Sequence, residues 1–206
     1  MQVWLVCSEA QEAELGAMPS NLVVTRKLDM PAHFDTVVDL LFEANRQAHQ
    51  PVLSALPVPV IVAAPVITGK DLPAGFIRIN AWPGFLRGRR VEACGNDETA
   101  RMAATAVLGM WDKAPEWVPD EPGMIAARVI AGIINEAYLA WSEGIASKED
   151  IDTAMKLGTN YPHGPFEWAE LVGRERILHL LETLAVANER YLPCSALKNS
   201  VQPGNL

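Results

Sequence analysis

The sequence is poor in the residues that staple a chain, ligate metals or grip polyanions. Only three cysteines occur in 206 residues, Cys7, Cys94 and Cys194. An odd number without CxxC or metal-ligand spacing gives neither a disulfide framework nor a zinc site, and predicts a reducing, cytoplasmic setting. The four histidines, His33, His49, His163 and His179, lie far apart without HxxxH spacing, so solvated or internally satisfied imidazoles are expected and a metal is not. Lys and Arg number 17 against 25 Asp and Glu, for a net charge of −8. No basic cluster is denser than Arg87, Arg89 and Arg90, too few for a nucleic-acid partner. Long apolar runs are also missing: Leu56 to Ile67 is broken by Pro57, Pro59 and Pro65 and falls short of the ~20 residues of a spanning helix. The opening MQVWLVCSEAQ lacks the basic and long apolar regions of a secretion signal. Neither a membrane segment nor secretion is therefore expected.

What is present is apolar material, half of all residues, in two textures. Up to about Pro122 the pattern predicts α/β structure. Residues 1–6, 21–28, 36–42, 58–64, 76–82 and 89–94 are rich in Val, Ile, Leu and Trp at strand lengths. Thr36–Phe42 and Val58–Ala64 are nearly continuous in apolar residues, as strands covered on both faces are, and should be central. Residues 43–56 read as a crossover helix and 96–110 as another, capped by Asn96 or Asp97. Three prolines and a glycine over 114–123 mark a boundary, which places an N-terminal domain at 1–118 and a helical one at 119–206. In the second, Met124, Ile125, Val129, Ile130, Ile133, Ile134 and Tyr138 recur with helical period. Ser147 opens a helix ended by Gly158, Pro165 takes the first position of a short helix stopped by Gly173, and residues 174–191 form the last long helix.

One succession of residues in this second part carries more than periodicity. Asn135-Glu136-Ala137, Glu143-Gly144-Ile145-Ala146-Ser147, Asp150 through Gly158, and Asn160-Tyr161-Pro162-His163-Gly164-Pro165-Phe166-Glu167-Trp168 follow in one unbroken register. This part resembles the C-terminal domain of the 3-hydroxyacyl-CoA dehydrogenase family. The resemblance implies a helical bundle that forms a homodimer interface and one wall of an acyl-CoA cleft. Most of the matching residues, Gly164-Pro165-Phe166 among them, read on their own as caps, turns and packing. The N-terminal part is similar to the family's nucleotide-binding domain over a smaller share: Phe34–Glu43 is similar to its strand-plus-acid segment facing the nicotinamide, and Arg89–Ala93 to a later strand carrying a functional glutamate. The expected fold is α/β, a truncated Rossmann-like parallel sheet followed by an all-helical domain.

The chemistry the resemblance implies meets three absences. Holding an NAD pyrophosphate needs a glycine-rich turn at a helix N-terminus, where N–H groups and the helix dipole offset the charge. Here Val6 runs into Cys7-Ser8-Glu9-Ala10-Gln11-Glu12, without glycine before Gly16 and with two acids where phosphate would sit. Only 35 residues precede the strand at Thr36, so at least one early βα unit is expected to be missing. Dehydrogenation also needs a general base oriented by a carboxylate. The register through Arg90-Val91-Glu92 puts the family's histidine position at Asn80, which cannot act as a base but can donate a hydrogen bond to a thioester or keto oxygen. Glu92 remains as the orienting acid, or as an ordinary strand carboxylate paired to Arg89 or Arg90. Ala127 stands where the family has an asparagine before Arg128.

These readings lead to two expectations. The first is a family member that has lost NAD-linked dehydrogenation, needs no cofactor, and serves as an acyl-CoA binder or accessory subunit in fatty-acid or aromatic degradation. Trp82, Arg87, Arg89 and Arg90 would contact the ligand and the C-terminal helices would form a homodimer. The alternative is an NAD-dependent 3-hydroxyacyl-CoA dehydrogenase with a rearranged site, in which Glu92 or a histidine such as His163 is the base.

Overall fold

The computed structural model describes residues 1–202. The chain separates into two compact units, Met1–Met124 and Ile125–Leu206.

The first unit is a seven-stranded sheet in the order β2-β1-β3-β4-β5-β6-β7. Its strands are β1 Val3–Val6, β2 Leu22–Thr25, β3 Thr36–Asp39, β4 Val60–Ala63, β5 Phe76–Ile79, β6 Arg90–Cys94 and β7 Ala114–Trp117. All neighbours are parallel except β5 and β6. Helix α1, Glu9–Leu15, follows β1; α2, Phe42–Ser54, joins β3 to β4; and α3, Glu98–Gly109, joins β6 to β7. The apolar residues of β1, β3 and β4 are buried on both faces, as their near-continuous hydrophobicity requires. One face packs Val3, Leu5, Val38, Ile61 and Ile77 with Leu15 and with Ala104 and Val107 of α3. The other packs Trp4, Val6, Val37 and Val62 with Phe42 and Leu53 of α2.

The order shows what the short N-terminal stretch left out. In the doubly wound arrangement 3-2-1-4-5-6, a third strand lies outside the second and a helix covers the return. Here the chain leaves β2 and crosses β1 directly through residues 26–35 to reach β3, with neither strand nor helix between them. The side chains of that link take over the covering role. Leu28 and Phe34 pack on the second face, and Phe34 meets fully buried Trp4 edge-on at 5.2 Å. The Trp4 indole Nε1–H is satisfied by Thr25 Oγ1 at 2.9 Å, so the largest side chain on β1 fills volume that a crossover helix would otherwise supply.

Four local expectations are corrected. The third strand ends at Asp39, and Phe42 opens α2 because Asp39 Oδ1 accepts the Leu41 N–H and turns the chain. The proline-rich stretch contains a strand, β7, at the sheet edge, where Pro115 costs no ladder bond. In the second unit, helix α5 does not stop at Gly158 but runs Lys148–Thr159 and ends on Asn160 in the left-handed conformation. The last long helix, α7, closes at Ala185, followed by a 3-10 turn at Glu189–Tyr191 and a short helix α8, Ser195–Ser200.

The second unit also contains α4, Ala126–Ser142, and α6, Pro165–Val172. Its defining joint lies between α5 and α6. Asp152, buried on α5, accepts the Phe166 N–H through Oδ1 at 2.8 Å and the Glu167 N–H through Oδ2 at 3.2 Å, capping α6 from a neighbouring helix. Gly164 is required there, since a Cβ built on it would overlap the Asp152 carboxylate. Glu167 Oε2 accepts the Gly164 N–H at 2.9 Å, and its carboxylate pairs with Lys156.

Candidate functional site

Open α/β sheets bind ligands beyond the carboxyl ends of their strands, where the winding direction reverses. In this unit that point lies between β1 and β3, and the residues there are bonded to one another. Ser8 caps α1: its Oγ accepts the Gln11 N–H at 3.2 Å, and Gln11 Oε1 accepts the Ser8 N–H at 3.0 Å. The Gln11 amide then reaches across the switch point and donates to the Leu40 carbonyl at 2.8 Å, while the Leu40 N–H donates to the Val6 carbonyl, also at 2.8 Å. Near the other end of α1, Glu14 accepts the Gly84 N–H at 2.7 Å and the Leu86 N–H at 3.3 Å, tying the loop after β5 to the helix.

A dinucleotide pyrophosphate does not fit this turn. The helix has only seven residues. The N–H groups of Ser8 and Gln11 are already engaged in the capping box, and the carboxylates of Glu9 and Glu12 stand in the first turn where phosphate charge would have to rest. Cys7, just before the cap, is fully buried, and desolvation pushes its thiol above the usual range. Arg26 neutralises part of the local charge by bonding Glu12 and the Cys7 carbonyl.

The residues singled out in the sequence come together in part. Asn80, at the carboxyl end of β5, donates from Nδ2 to Glu92 Oε2 at 3.1 Å, and its N–H donates to the Glu92 carbonyl at 3.0 Å. Asn80 Oδ1 accepts the Trp82 N–H at 3.3 Å. The amide is therefore held by the acid that an orienting carboxylate would supply to a base, and it is buried. Trp82 is buried as well; its Nε1–H donates to Glu43 Oε2 at 3.2 Å, and Glu43 Oε1 accepts the Val66 N–H at 2.8 Å. Glu14, Glu43 and Glu92 thus bind donors at the strand ends, and each acid consumes hydrogen-bonding capacity that a ligand oxygen would use.

The arginines are placed elsewhere. Arg89 pairs with Asp112 at 2.7 Å and Arg90 with Glu116 at 3.3 Å, both at the exposed rim near β7, and Arg87 is exposed. His163, in the second unit, stacks edge-on against Trp168 at 4.8 Å, with Nδ1 3.9 Å from Glu167. Ala127 is fully buried on α4. Among the described residues no cluster of three or more His, Cys, Asp or Glu could hold a metal.

Sequence reasoning missed Gln11 and Glu14 as the side chains that close the switch point. The Ser8-x-x-Gln11 spacing is a legible capping-box signal, whereas nothing local announces that Glu14 reaches the loop at Gly84. It also missed two polar pairs. His49 Nδ1 lies 2.6 Å from Asp39 Oδ2 in the interior. Buried Arg78 bonds Asp120 through Nε at 2.9 Å and the carbonyls of Ala64, Ile67 and Glu121, locking residues 64–69 to 119–123.

A doubly wound α/β unit with a reduced edge is followed by a helical unit built on the Asp152–Gly164 joint, which is the class of two-part chain with an open α/β sheet ahead of a helical bundle. Comparison with known proteins narrows that class. Residues 123–206 match the model of the 3-hydroxyacyl-CoA dehydrogenase C-terminal domain. The chain is 38% identical to the 3-hydroxyadipyl-CoA dehydrogenase of Escherichia coli K12 over 181 residues, 87% of this chain but 34% of that protein. It is 26% identical to a probable 3-hydroxybutyryl-CoA dehydrogenase of Bacillus subtilis, over 94% of this chain and 73% of the relative. The crystal structure of the (S)-3-hydroxybutyryl-CoA dehydrogenase of Ralstonia eutropha superposes with a TM-score of 0.70 at 26% identity, over 87% of this chain and 69% of that one. Residues 123–206 thus belong to the 3-hydroxyacyl-CoA dehydrogenase C-terminal domain family, and the chain spans about a third of the length of its E. coli relative.

Proposed function

We propose that this chain is a 3-hydroxyacyl-CoA dehydrogenase-like module without NAD-linked dehydrogenation of its own, acting as an acyl-CoA binder or accessory subunit in fatty-acid or aromatic degradation. The observation that carries this reading is the β1–α1 turn, in which a capping box takes the Ser8 and Gln11 N–H groups and the acidic Glu9 and Glu12 fall in the first turn of the helix. The chain corresponds to about a third of the E. coli enzyme, so the remainder of such a protein has room for a complete catalytic module. An accessory role beside one accounts for both the retained and the missing parts. In this reading the chain uses no NAD and no metal.

For ligand contact the reading keeps Arg87, with Arg89 and Arg90 available because their exposed ion pairs hold by only ~0–1 kcal/mol and can exchange for phosphate. Three free thiols, two of them buried, suit a reducing cytoplasm. No described helix is long and apolar enough to cross a membrane. For assembly the reading keeps a homodimer through the C-terminal helices: Ile125 (54% exposed) at the cap of α4 and Val129 (49%) and Leu139 (37%) on the helix are exposed, while Ile130, Ile134 and Tyr138 are buried. Sedimentation at micromolar concentration should give a dimer or larger, and Val129→Glu should shift the mass downward.

A second reading, an active NAD-dependent enzyme with a rearranged site, draws on the Asn80–Glu92 hydrogen bond, which keeps a carboxylate beside the base position. Steady-state reduction of acetoacetyl-CoA by NADH separates the two. The first reading expects turnover far below ~1 s⁻¹. Turnover above that value, abolished by Glu92→Gln, establishes the second.

A further inference from the structure

We draw no further inference here: the strongest candidate, the groove of the second unit between α4 and the 3-10 turn, where Arg128 and Arg190 both lie over the Tyr191 ring beside Val129, Gly132 and Ile133, opens on the α4 surface already kept for the proposed homodimer, and nothing in the structure shows what covers it.

Discussion

The β1–α1 turn and the α5–α6 joint are both helix N-termini, and the chain treats them in opposite ways. At α1 the cap is made within one turn: Ser8 Oγ accepts the Gln11 N–H and Gln11 Oε1 accepts the Ser8 N–H. At α6 the cap comes from elsewhere in the unit, with Asp152 accepting from another helix and Gly164 leaving room for it. The difference is between donors needed for a ligand and donors needed for the fold. A ligand-binding turn can change once the ligand is no longer used, because a short capping box satisfies the same N–H groups locally. A cap supplied across two helices cannot change without loosening both.

The comparison can be broken most forcefully from the N-terminal side. If Trp4 substitutes for a missing crossover helix, Trp4→Ala should cost ~3–5 kcal/mol, the range for a buried aromatic truncated in a packed core. Denaturant unfolding measures this, and a loss below 1 kcal/mol would show that the 26–35 link closes over the gap unaided. The next effect belongs to the second unit. Gly164→Ala forces a methyl into the Asp152 carboxylate and should cost ~3 kcal/mol through overpacking and a displaced cap. A near-neutral result would mean the joint has slack that its geometry does not suggest. Asp152→Ala, which only removes the acceptors, should cost ~1–2 kcal/mol, typical of a lost N-cap; a cost equal to that of Gly164→Ala would assign the whole effect to the cap.

The smallest effect separates the units by pH. Burial holds the Asp39 carboxyl above its ordinary value, with the bond to His49 opposing it. Its contribution to stability is fully present below the unfolded value and is lost as pH rises through the elevated folded one. Glu167 behaves oppositely. Its bond to Lys156, and then the Gly164 N–H, hold it below the usual range, so its contribution is present above the unfolded value and lost as pH falls through the depressed one. Melting temperatures measured from acid to neutral pH should therefore diverge: relative to wild type, Asp39→Asn should improve as pH rises and Glu167→Gln should worsen. Parallel slopes for the two variants would contradict this assignment.

Much of the architecture was legible because periodicity and caps are local. The strands at β1 to β6, helices α2 to α6, Asp97, Ser147 and Pro165 follow from apolar spacing and end chemistry. Strand β7 was hidden because its proline and charge read as a linker, and only its place at the edge makes Pro115 tolerable. At the site, the resemblance singled out Asn80 and Glu92, but Glu92 on its own read as a strand carboxylate beside Arg89 or Arg90, whereas the Asn80 amide is what bonds it and the two arginines pair with Asp112 and Glu116. Trp82 was expected to be open to a ligand but is buried against Glu43, and the Glu14 contact to Gly84 spans too much sequence for any local signal to announce it. The arginine trio was visible as a cluster, but its pairing with Asp112 and Glu116 depends on β7, which the sequence concealed.

In the proposed reading the β1–α1 turn has exchanged phosphate binding for self-capping. Titration of the intact chain with NADH, followed by nicotinamide fluorescence and isothermal calorimetry, tests it directly. The account predicts no saturable binding at sub-millimolar NADH. Saturable binding with a dissociation constant in the micromolar range, weakened by substitutions at Ser8 and Gln11, would show that the turn opens to admit the cofactor and would contradict it.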